Sequence, residues 1–325
     1  MRRPLTVLGA ALAVLAAGAC GSSDTTGSDV ATPSANQTTN PTAAGIADGK
    51  YVENGAEFVD AADWDTRATV RIEMGEMFFT PKNVTLAAGK PYVLELVNTG
   101  KVKHEFAAGA FFRSAATRKM ENAGAEVKAP FFTEIEVFAG KTVELFVIPV
   151  LPGTFEMLCE IAGHREAGME GSITVTGTAP AVPAPVVGDL TAGKWIQNGP
   201  ALVEAANWDA KKTIRVEAGE NGAKMFFEPK NLTMKAGTPY VLELVNVGKV
   251  KHEYTAAEFF PTAAFRKAED AIGEYKAPRL NEAEVLPGKQ LDLYLIPTKA
   301  GTFEIVCEIE GHRAAGMFGT ITVLP

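Results

Sequence analysis

The sequence PYVLELVN at residues 91–98 recurs unchanged at residues 239–246. The sequence GKVKHE at residues 100–105 recurs in the same way at residues 248–253, so both pairs are displaced by 148 residues. The longer run is dominated by Val, Leu and Tyr, which is typical of a buried β-strand. The constant displacement indicates that one structural unit is encoded twice.

The similarity continues upstream, where GKYVENG at residues 49–55 is matched by GKWIQNG at residues 193–199. A stretch rich in Pro and Ala separates the two copies, and this composition favours an extended, polyproline-like conformation. We therefore predict a first domain over residues 46–178, a linker over residues 179–191 and a second domain over residues 192–325.

Each copy contains short segments rich in β-branched and aromatic residues, separated by Ala-Gly-Lys or Pro-Gly turns. In the first copy the predicted strands are residues 69–73, 84–87, 92–98, 132–138, 142–148, 154–159 and 172–175. Such spacing predicts an all-β fold, with one Greek-key β-sandwich in each copy. The exception is residues 112–125, whose Ala, Arg, Lys, Met and Glu content predicts a helical or irregular excursion.

The N-terminal residues 1–19 are typical of an export signal, because two Arg follow the initiating Met and a short apolar run ends in small residues. That run is too short to span a bilayer. Cys20 follows it directly, which resembles the lipobox of bacterial lipoproteins and implies that this Cys carries lipid. The alternative is an ordinary secreted protein in which Cys20 is unmodified.

Residues 20–45 are rich in Gly, Ser, Thr, Asp, Asn and Pro, which predicts a flexible tether rather than a folded segment. No later segment is long and apolar enough to span a bilayer, so the lipid on Cys20 is the expected membrane anchor. The sequence thus predicts an extracytoplasmic protein held at a bacterial membrane, in the periplasm or on the outer face of the plasma membrane.

The charge composition argues against one class of partner. The chain carries 31 basic and 39 acidic residues, a formal net charge of −8. Its basic residues do not form the long runs that nucleic-acid-binding surfaces use, so no nucleic-acid partner is expected.

All four His and the two Cys after the N-terminal segment fall into one pattern, a His followed at a distance by Cys-x4-His-x4-Met. The first copy supplies His104, Cys159, His164 and Met169, and the second supplies His252, Cys307, His312 and Met317. Two imidazoles and a thiolate with a weak axial thioether form the ligand set of a type 1, or blue, copper site. We predict two copper ions, one in each copy.

The spacing of this pattern is mechanically reasonable. A strand over residues 154–159 would end at the Cys, and Gly163 and Gly168 would let the following loop turn back tightly. Taken singly, a His is more often a hydrogen-bonded core residue and a Cys an inert small apolar residue. The order of four ligand types in both copies favours the metal site.

Both copies resemble cupredoxins. The Cys-x4-His-x4-Met loop is similar to that of rusticyanin and auracyanin, and its Ala-Gly-Met ending is similar to plastocyanin. The resemblance implies an eight-stranded sandwich with copper at one end, and an electron port at the second His, here His164 and His312. Many small cupredoxins have Asn or Ser after the first His, whereas these copies have Glu105 and Glu253. We expect a carboxylate there to favour Cu(II) and lower the reduction potential.

The His and Cys counts argue against the copper enzymes. Multicopper oxidases need His-x-His pairs for a trinuclear cluster, and copper nitrite reductases need further His for a second copper. A binuclear copper centre needs two Cys in one loop, and each loop here has one. A Ser/His/Asp catalytic site would need a His that the copper pattern already uses. No His remains for these purposes, so we predict a protein that is not an enzyme.

Three functions remain open at this point. The first is a tethered carrier that moves single electrons between redox partner proteins. The second is a copper-handling protein for buffering, delivery or resistance, and the third is an interaction module in which copper is incidental. The Met residues are scattered and the tether holds no His, which favours electron transfer over copper capture.

The two copies differ in charge near the predicted electron port. Residues 46–178 carry 13 basic and 19 acidic residues, whereas residues 189–325 carry 16 and 18. In the loop after His312, Ala314 and Phe318 replace the carboxylates of the first copy. We hypothesise that electrons exchange with a soluble partner through His312, with Arg313 available to steer an acidic partner, and that the first copy relays to the membrane side.

Overall fold

The computed structural model describes residues 46–190, 196 and 198–325. The predicted export signal, Cys20 and the tether lie outside the described residues. We refer to residues 46–178 as the first repeat and to residues 192–325 as the second repeat. The described residues fall within one compact unit, Pro41–Pro325. None of the helices among them has the length and apolar character needed to cross a membrane.

The described chain is built mainly from strands. The first part contains β1 Lys50–Val52, β2 Ala68–Gly75, β3 Phe78–Thr80, β4 Asn83–Ala87, β5 Tyr92–Asn98, β6 His104–Ala107, β7 Ala115–Glu121, β8 Ala125–Lys128, β9 Glu134–Val137, β10 Thr142–Pro149, β11 Gly153–Leu158, β12 Glu170–Thr176 and β13 Val187–Asp189. The second repeat contains β14 Lys212–Asn221, β15 Lys224–Glu228, β16 Asn231–Lys235, β17 Tyr240–Asn246, β18 His252–Thr255, β19 Ala263–Glu269, β20 Gly273–Lys276, β21 Glu282–Val285, β22 Gln290–Pro297, β23 Gly301–Val306 and β24 Phe318–Leu324.

The helices are short. They are α1 Gly55–Ala61, α2 Gly109–Ser114 and α3 Gly199–Ala205, with single 3₁₀ turns at Trp64–Thr66, Trp208–Ala210 and Phe260–Thr262. Helices α1 and α3 were not predicted from the sequence, although both begin at the Gly that ends the shared motif, Gly55 and Gly199.

Two large sheets run through both repeats. One has the strand order β3-β2-β5-β10-β7-β8-β21-β18-β23-β24-β16, and the other has the order β15-β14-β17-β22-β19-β20-β9-β6-β11-β12-β4. Each repeat therefore contributes six strands to one sheet and five to the other. The repeats meet where β8 pairs with β21 and β9 pairs with β20, both antiparallel. The predicted all-β fold with two tandem sandwiches is confirmed, and the two sandwiches share their sheets.

The core lies between the two sheets. Inward-facing side chains such as Leu94, Leu96, Phe106 and Tyr275 are fully buried, and one apolar cluster includes residues of both repeats. Burying one such side chain contributes about 1.5–3 kcal/mol. The junction strands thus close the core as well as the sheets.

The predicted excursion at residues 112–125 is wrong in most of its length. Only its start is helical, in α2, whereas Ala115–Glu121 form β7 beside β10. Ala, Arg, Lys and Met favour helices intrinsically, but pairing with β10 on one side and β8 on the other overrides that weak preference.

Part of the predicted linker also adopts regular structure. Val187–Asp189 form β13, which pairs antiparallel with β1. The backbone N–H of Glu53 donates to the carbonyl of Val186 at 2.8 Å, and the side chain of Asn54 accepts from the N–H of Val186 at 2.8 Å. This end of the linker is therefore fastened to the first repeat.

Candidate metal centres

The first His of each site is positioned by a buried Asn at the end of the preceding strand. The Asn98 amide group donates to the carbonyls of Val102 and Val137, both at 2.8 Å, and its oxygen accepts from the N–H of Gly100 at 2.8 Å. Asn246 makes the same three kinds of bond in the second repeat. These bonds fold the loop so that His104 and His252 are the first residues of β6 and β18.

The other three predicted ligands of the first repeat lie around one closed loop. Cys159 directly follows β11, and Met169 directly precedes β12. The Cys159 N–H donates to the Met169 carbonyl at 3.1 Å, and the Met169 N–H donates to the His164 carbonyl at 3.0 Å. Gly163 and Gly168 have φ values of 85° and 106°, in the left-handed region that favours Gly. The predicted role of these two glycines is therefore confirmed.

The second repeat builds the same loop. The Cys307 N–H donates to the Met317 carbonyl at 3.1 Å, and the Met317 N–H donates to the His312 carbonyl at 3.1 Å. Gly311 and Gly316 have φ values of 83° and 109°. The two loops therefore have matching backbone hydrogen bonds and left-handed glycines at matching positions, and their backbone geometry is the same.

In each repeat the structure brings two imidazoles and a thiol together. The ligand atoms of His104, Cys159 and His164 all lie within 4.8 Å of one another, and so do those of His252, Cys307 and His312. The Cys Sγ lies 3.3 Å from His164 Nδ1 in the first cluster and 3.2 Å from His312 Nδ1 in the second. Met169 and Met317 are fully buried and are joined to these clusters by the backbone bonds of their loops.

The unsatisfied polar atoms of the clusters are what a metal site requires. Both ring nitrogens of His104 and the Nδ1 of His252 are buried without a hydrogen-bond partner in the described part of the chain. A buried polar atom without a partner costs about 1–3 kcal/mol, so these atoms need an explanation. A cation that accepts the lone pair of one nitrogen in each ring would remove the cost at that atom.

The thiol groups fit the same interpretation. Burial raises the pKa of Cys159 and of Cys307, while backbone N–H groups oppose that rise. Among these donors are the N–H of Glu105, 3.4 Å from Cys159 Sγ, and the N–H of Glu253, 3.3 Å from Cys307 Sγ. A soft metal that takes the place of the thiol proton would be held by a thiolate already supplied with hydrogen bonds.

The imidazoles are prepared for ligation by their surroundings. Burial lowers the pKa of His104, His252 and His312, so these rings are neutral near pH 7 and keep a lone pair for a metal. Neutral imidazole together with thiolate suits copper better than a hard cation.

The carboxylates expected beside the metal are not those that the sequence analysis named. Side chains alternate between the two faces of a strand, so His104 points between the sheets and Glu105 points to the other face. On that face Glu105 is paired with Glu136 of the neighbouring strand β9. Glu253 lies likewise opposite Glu284 of β21. The backbone N–H of each Glu contacts the thiol and its carboxylate acts on that thiol through charge alone, so the expected effect of Glu105 and Glu253 on the reduction potential stays a prediction.

Two other carboxylates approach the first His instead. Glu220 Oε1 lies 3.1 Å from His252 Nε2, and Glu76 accepts the N–H of Lys101 in the loop before His104. Burial alone would raise the pKa of Glu220. The N–H groups of Lys249 and Val250 and the His252 ring stabilise its negative charge, and the pKa of Glu220 is lowered overall. Neither residue was predicted from the sequence, although the shared Gly-Glu at residues 75–76 and 219–220 marks their place.

The second His of each set lies closest to the surface. His164 and His312 keep 9% and 8% of their surface exposed, whereas His104 and His252 keep none. Near the second site, Phe318 is exposed and lies under the Lys230 ammonium at 4.0 Å. The residual exposure agrees with an electron port at the second His, which stays a prediction.

Arg313 is less free than the sequence suggested. Its guanidinium donates to both carboxylate oxygens of Glu304, at 2.8 and 3.0 Å. The paired charge attracts an acidic partner less than a lone Arg would. Arg165 of the first repeat is paired too, through one nitrogen with Glu156 and at 3.6 Å with Glu170.

Comparisons with known proteins agree with this geometry. Residues 214–324 match the family of copper-binding proteins of the plastocyanin/azurin type. The chain is 29% identical over 114 residues to the copper-resistant cuproprotein CopI of Rubrivivax gelatinosus, covering 35% of this chain and 67% of that protein. It is 28% identical over 145 residues to the protein of that name from Pseudomonas aeruginosa, covering 36% and 78%.

Solved structures show only a distant likeness. A copper-containing nitrite reductase from Thermus scotoductus has 14% identity and a TM-score of 0.30, over 80% of this chain and 62% of that one. A multicopper oxidase from Campylobacter jejuni has 12% identity and a TM-score of 0.32, over 82% and 65%. The chain thus spans less than two thirds of either enzyme, and neither likeness bears on its activity.

The sequence match and the described geometry together identify the kind of domain. Residues 214–324 are matched to that family directly, and the first repeat shares the strand order, the loop and the residue cluster of the second. The chain thus has two tandem cupredoxin-like sandwiches, and residues 214–324, in the second, match the plastocyanin/azurin family of copper-binding proteins.

Proposed function

We propose that this protein is a blue copper protein of the cell envelope that carries single electrons through two type 1 copper sites, one in each repeat. The observation that supports this most is the pair of matching clusters, each with two imidazoles and a thiol within 4.8 Å and with buried ring nitrogens that lack a partner among the described residues. His104, Cys159, His164 and Met169 would hold one ion, and His252, Cys307, His312 and Met317 the other.

Copper, when bound, supplies a one-electron couple between Cu(I) and Cu(II). The protein's part is to hold the ligands in place before and after the electron moves. Backbone bonds from Cys159 to Met169 and from Met169 to His164 close the loop without help from a metal. A loop fixed in this way changes little between the two oxidation states, which favours fast electron exchange.

Each candidate site lies close to the junction between the repeats. His104 lies opposite Val137, and Val137 lies opposite Gly273 of the second repeat. Neighbouring strands are about 4.8 Å apart, so the His104 backbone is about 10 Å from a strand of the other repeat. His252 reaches the first repeat equally, through Val285 and Ala125. This arrangement supports electron exchange within one molecule.

The proposed cellular setting follows from the sequence. A lipid on Cys20 would hold the protein at the membrane, and redox proteins of unknown identity would donate and accept the electrons. Because the four His and the Cys of the repeats are all committed to copper, the proposal assigns no catalytic reaction. The prediction for the anchor is direct: Cys20→Ser should move the protein from the membrane fraction to the soluble extracytoplasmic fraction.

A second function is supported by the curated relatives. The relatives from Rubrivivax gelatinosus and Pseudomonas aeruginosa are both named copper-resistant cuproproteins, which favours a role in copper buffering, delivery or resistance. In that case the same clusters would release copper to other molecules instead of retaining it during electron transfer.

One experiment on the purified mature protein separates these functions. Metal analysis and absorption spectra establish whether two coppers and a thiolate-to-copper band are present. The reduced protein is then mixed with an excess of a Cu(I) chelator, and separately with an outer-sphere oxidant. An electron carrier should be oxidised and reduced repeatedly while it keeps its copper. A copper-handling protein should lose copper to the chelator faster than it exchanges electrons, and that result would reject the first proposal.

A further inference from the structure

The carboxylate of Glu220 makes an unusual number of contacts at the second site. It accepts the N–H of Lys249 at 2.9 Å and the N–H of Val250 at 3.1 Å, and its Oε1 lies 3.1 Å from His252 Nε2. The same side chain therefore fastens the loop before β18 and contacts the first imidazole of the site.

These contacts determine which nitrogen of the imidazole carries the proton. An ionised carboxylate can only accept hydrogen bonds, so His252 Nε2 must be the donor of the pair. In a neutral ring the Nδ1 then bears the lone pair. That Nδ1 is the buried atom with no hydrogen-bond partner in the described residues. Glu220 thus leaves one defined nitrogen available for a metal.

The first repeat lacks this arrangement, and the reason is the length of one hairpin. In the first repeat β2 and β3 end with Gly75 opposite Phe78, so Glu76 lies in the turn itself. In the second repeat four more residues lengthen the hairpin, and Glu220 lies within β14, opposite Met225. From β14 the Glu220 side chain reaches His252 Nε2, whereas from the shorter turn the Glu76 side chain bonds to the N–H of Lys101.

The consequence is visible in the hydrogen bonds of the first His. Glu76 bonds to the N–H of Lys101, but neither ring nitrogen of His104 has a partner within the described ranges. His104 and Glu76 are still close, because a Cβ placed on Gly100 would lie 2.9 Å from both His104 Nε2 and Glu76 Oε1. The two sites therefore have the same candidate ligands and differ in the carboxylate behind the first one.

We infer that Glu220 is a positioning residue that fixes the Nε2–H tautomer of His252 and makes the second copper site the one that prefers Cu(II) more strongly. A carboxylate hydrogen-bonded to a ligating imidazole raises its basicity and adds negative charge near the metal. Both effects stabilise Cu(II) over Cu(I). Electrons placed on the protein should then reside on the first site. The inference rests on the proposed function only in taking copper as the metal.

The decisive variants change the charge while keeping the loop. Glu220→Gln removes the negative charge but keeps a carbonyl oxygen for the N–H groups of Lys249 and Val250. Glu76→Gln is the matched control in the first repeat. Gly248→Ala is a second, independent variant, because a Cβ there would lie 2.4 Å from Glu220 Oε2 and would displace the carboxylate without removing it.

The reduction potentials are measured by optical redox titration of the copper-loaded full chain. The variants Cys159→Ser and Cys307→Ser each keep one copper site, so they assign each step of the titration to a site. We expect the second site to titrate at the lower potential. Glu220→Gln should weaken its preference for Cu(II) about tenfold, which raises that potential by about 59 mV. Gly248→Ala should act in the same direction, and Glu76→Gln should change the first site less. Equal potentials in the wild type, or no shift in Glu220→Gln, would overturn the inference.

A readout without copper tests the same residue separately. In the metal-free protein at pH 8, ¹⁵N chemical shifts of the imidazoles report which ring nitrogen carries the proton. We expect His252 to be protonated at Nε2, and this preference to weaken in Glu220→Ala. An Nδ1–H tautomer in the wild type would reject the positioning role. If the wild type failed to bind copper, the proposed function and the copper part of the inference would be rejected. The ¹⁵N chemical shifts would still decide which tautomer His252 adopts.

Discussion

The two repeats agree in the loops that hold the candidate ligands and differ in the hairpins behind them. The loops at residues 159–169 and 307–317 have matching backbone bonds and matching left-handed glycines. The hairpins β2–β3 and β14–β15 differ by four residues, and among the described contacts the carboxylate of the longer hairpin is hydrogen-bonded to the first His, whereas that of the shorter one only lies near it. A cluster of candidate ligands can thus remain constant while a neighbouring hairpin of different length changes its electrostatic surroundings.

The largest expected effect comes from removing a thiol. Cys159→Ser and Cys307→Ser should each abolish copper binding in one repeat, since Ser cannot supply a thiolate for the soft metal. Each variant should then bind one copper and lose about half of the thiolate-to-copper absorption, because one of two matching sites is gone. Metal analysis and absorption spectra measure both quantities.

Cys20→Ser is the matched control, since Cys20 is outside both clusters and its loss should leave two coppers in place. If either single variant in the repeats lost all colour, or if the wild type bound one copper, the two repeats would not be equivalent binding units.

The second largest effect concerns the junction. Lys276 Nζ contacts Glu134 across the junction at 2.7 and 2.9 Å, and Lys128 Nζ contacts Glu282 at 2.6 Å in the symmetry-related position. Replacing either Lys by Met would leave a largely buried carboxylate without its cation. We expect a loss of about 1–2 kcal/mol in the free energy of unfolding, reduced by the partial exposure of the Lys.

Urea unfolding measures this loss, with Arg215→Met as the control because its ion pair with Glu217 is exposed. The control should cost less than about 1 kcal/mol. A large loss from Lys276→Met beside none from Lys128→Met would show that the two halves of the junction are not equivalent in energy.

The sequence predicted the repeated unit and the clusters better than it predicted the junction. The ligand types and their spacing are local, and the loop at residues 159–169 depends on glycines that a reader of the sequence can identify. Residues 115–121 form a strand because of partners on both sides, which local composition does not reveal. Glu220 was missed for a similar reason, since its role depends on the pairing register of a hairpin. The side of the strand taken by Glu105 follows from alternation, and it could have been predicted once His104 was placed in a strand.

A smaller effect is expected in the pH dependence of stability. Burial and the neighbouring Glu134 raise the pKa of Glu105 to about 7, and burial and Glu282 do the same for Glu253. A carboxyl whose pKa is higher in the folded protein binds protons more readily there than in the unfolded chain. Its contribution to stability is therefore full below the unfolded pKa, near 4.5, and is lost as the pH rises through about 7.

Urea unfolding of the metal-free protein between pH 5 and 8 tests this sign. The wild type should lose stability over this range through these two groups, by at most about 1.4 kcal/mol per pH unit for each. Glu105→Gln and Glu253→Gln should each flatten the curve to a similar extent, with the exposed Glu258→Gln as the control. If the free energy of unfolding of the wild type rose with pH over this range, and both variants gave the same curve, the raised pKa of Glu105 and Glu253 would be contradicted.

The smallest expected effect is at the surface beside the second His of each site. Ala314, exposed beside His312, stands where the first repeat has Glu166, so Ala314→Glu transfers the acidic character of the first loop to the second. The reciprocal variant is Glu166→Ala. Each is measured with only one site active, using the Cys159→Ser or Cys307→Ser background. A rim charge changes the association rate of a charged partner and leaves the ligand geometry alone.

Stopped-flow mixing at low salt measures the rate at which each oxidant oxidises the reduced protein. Ala314→Glu should slow oxidation by anionic ferricyanide about threefold and speed oxidation by a cationic cobalt(III) complex, with copper content unchanged. Glu166→Ala should do the opposite at the first site. If both variants left both rates unchanged, electrons would be leaving the protein elsewhere than through the surface beside His164 and His312, and the proposed port would have to be abandoned.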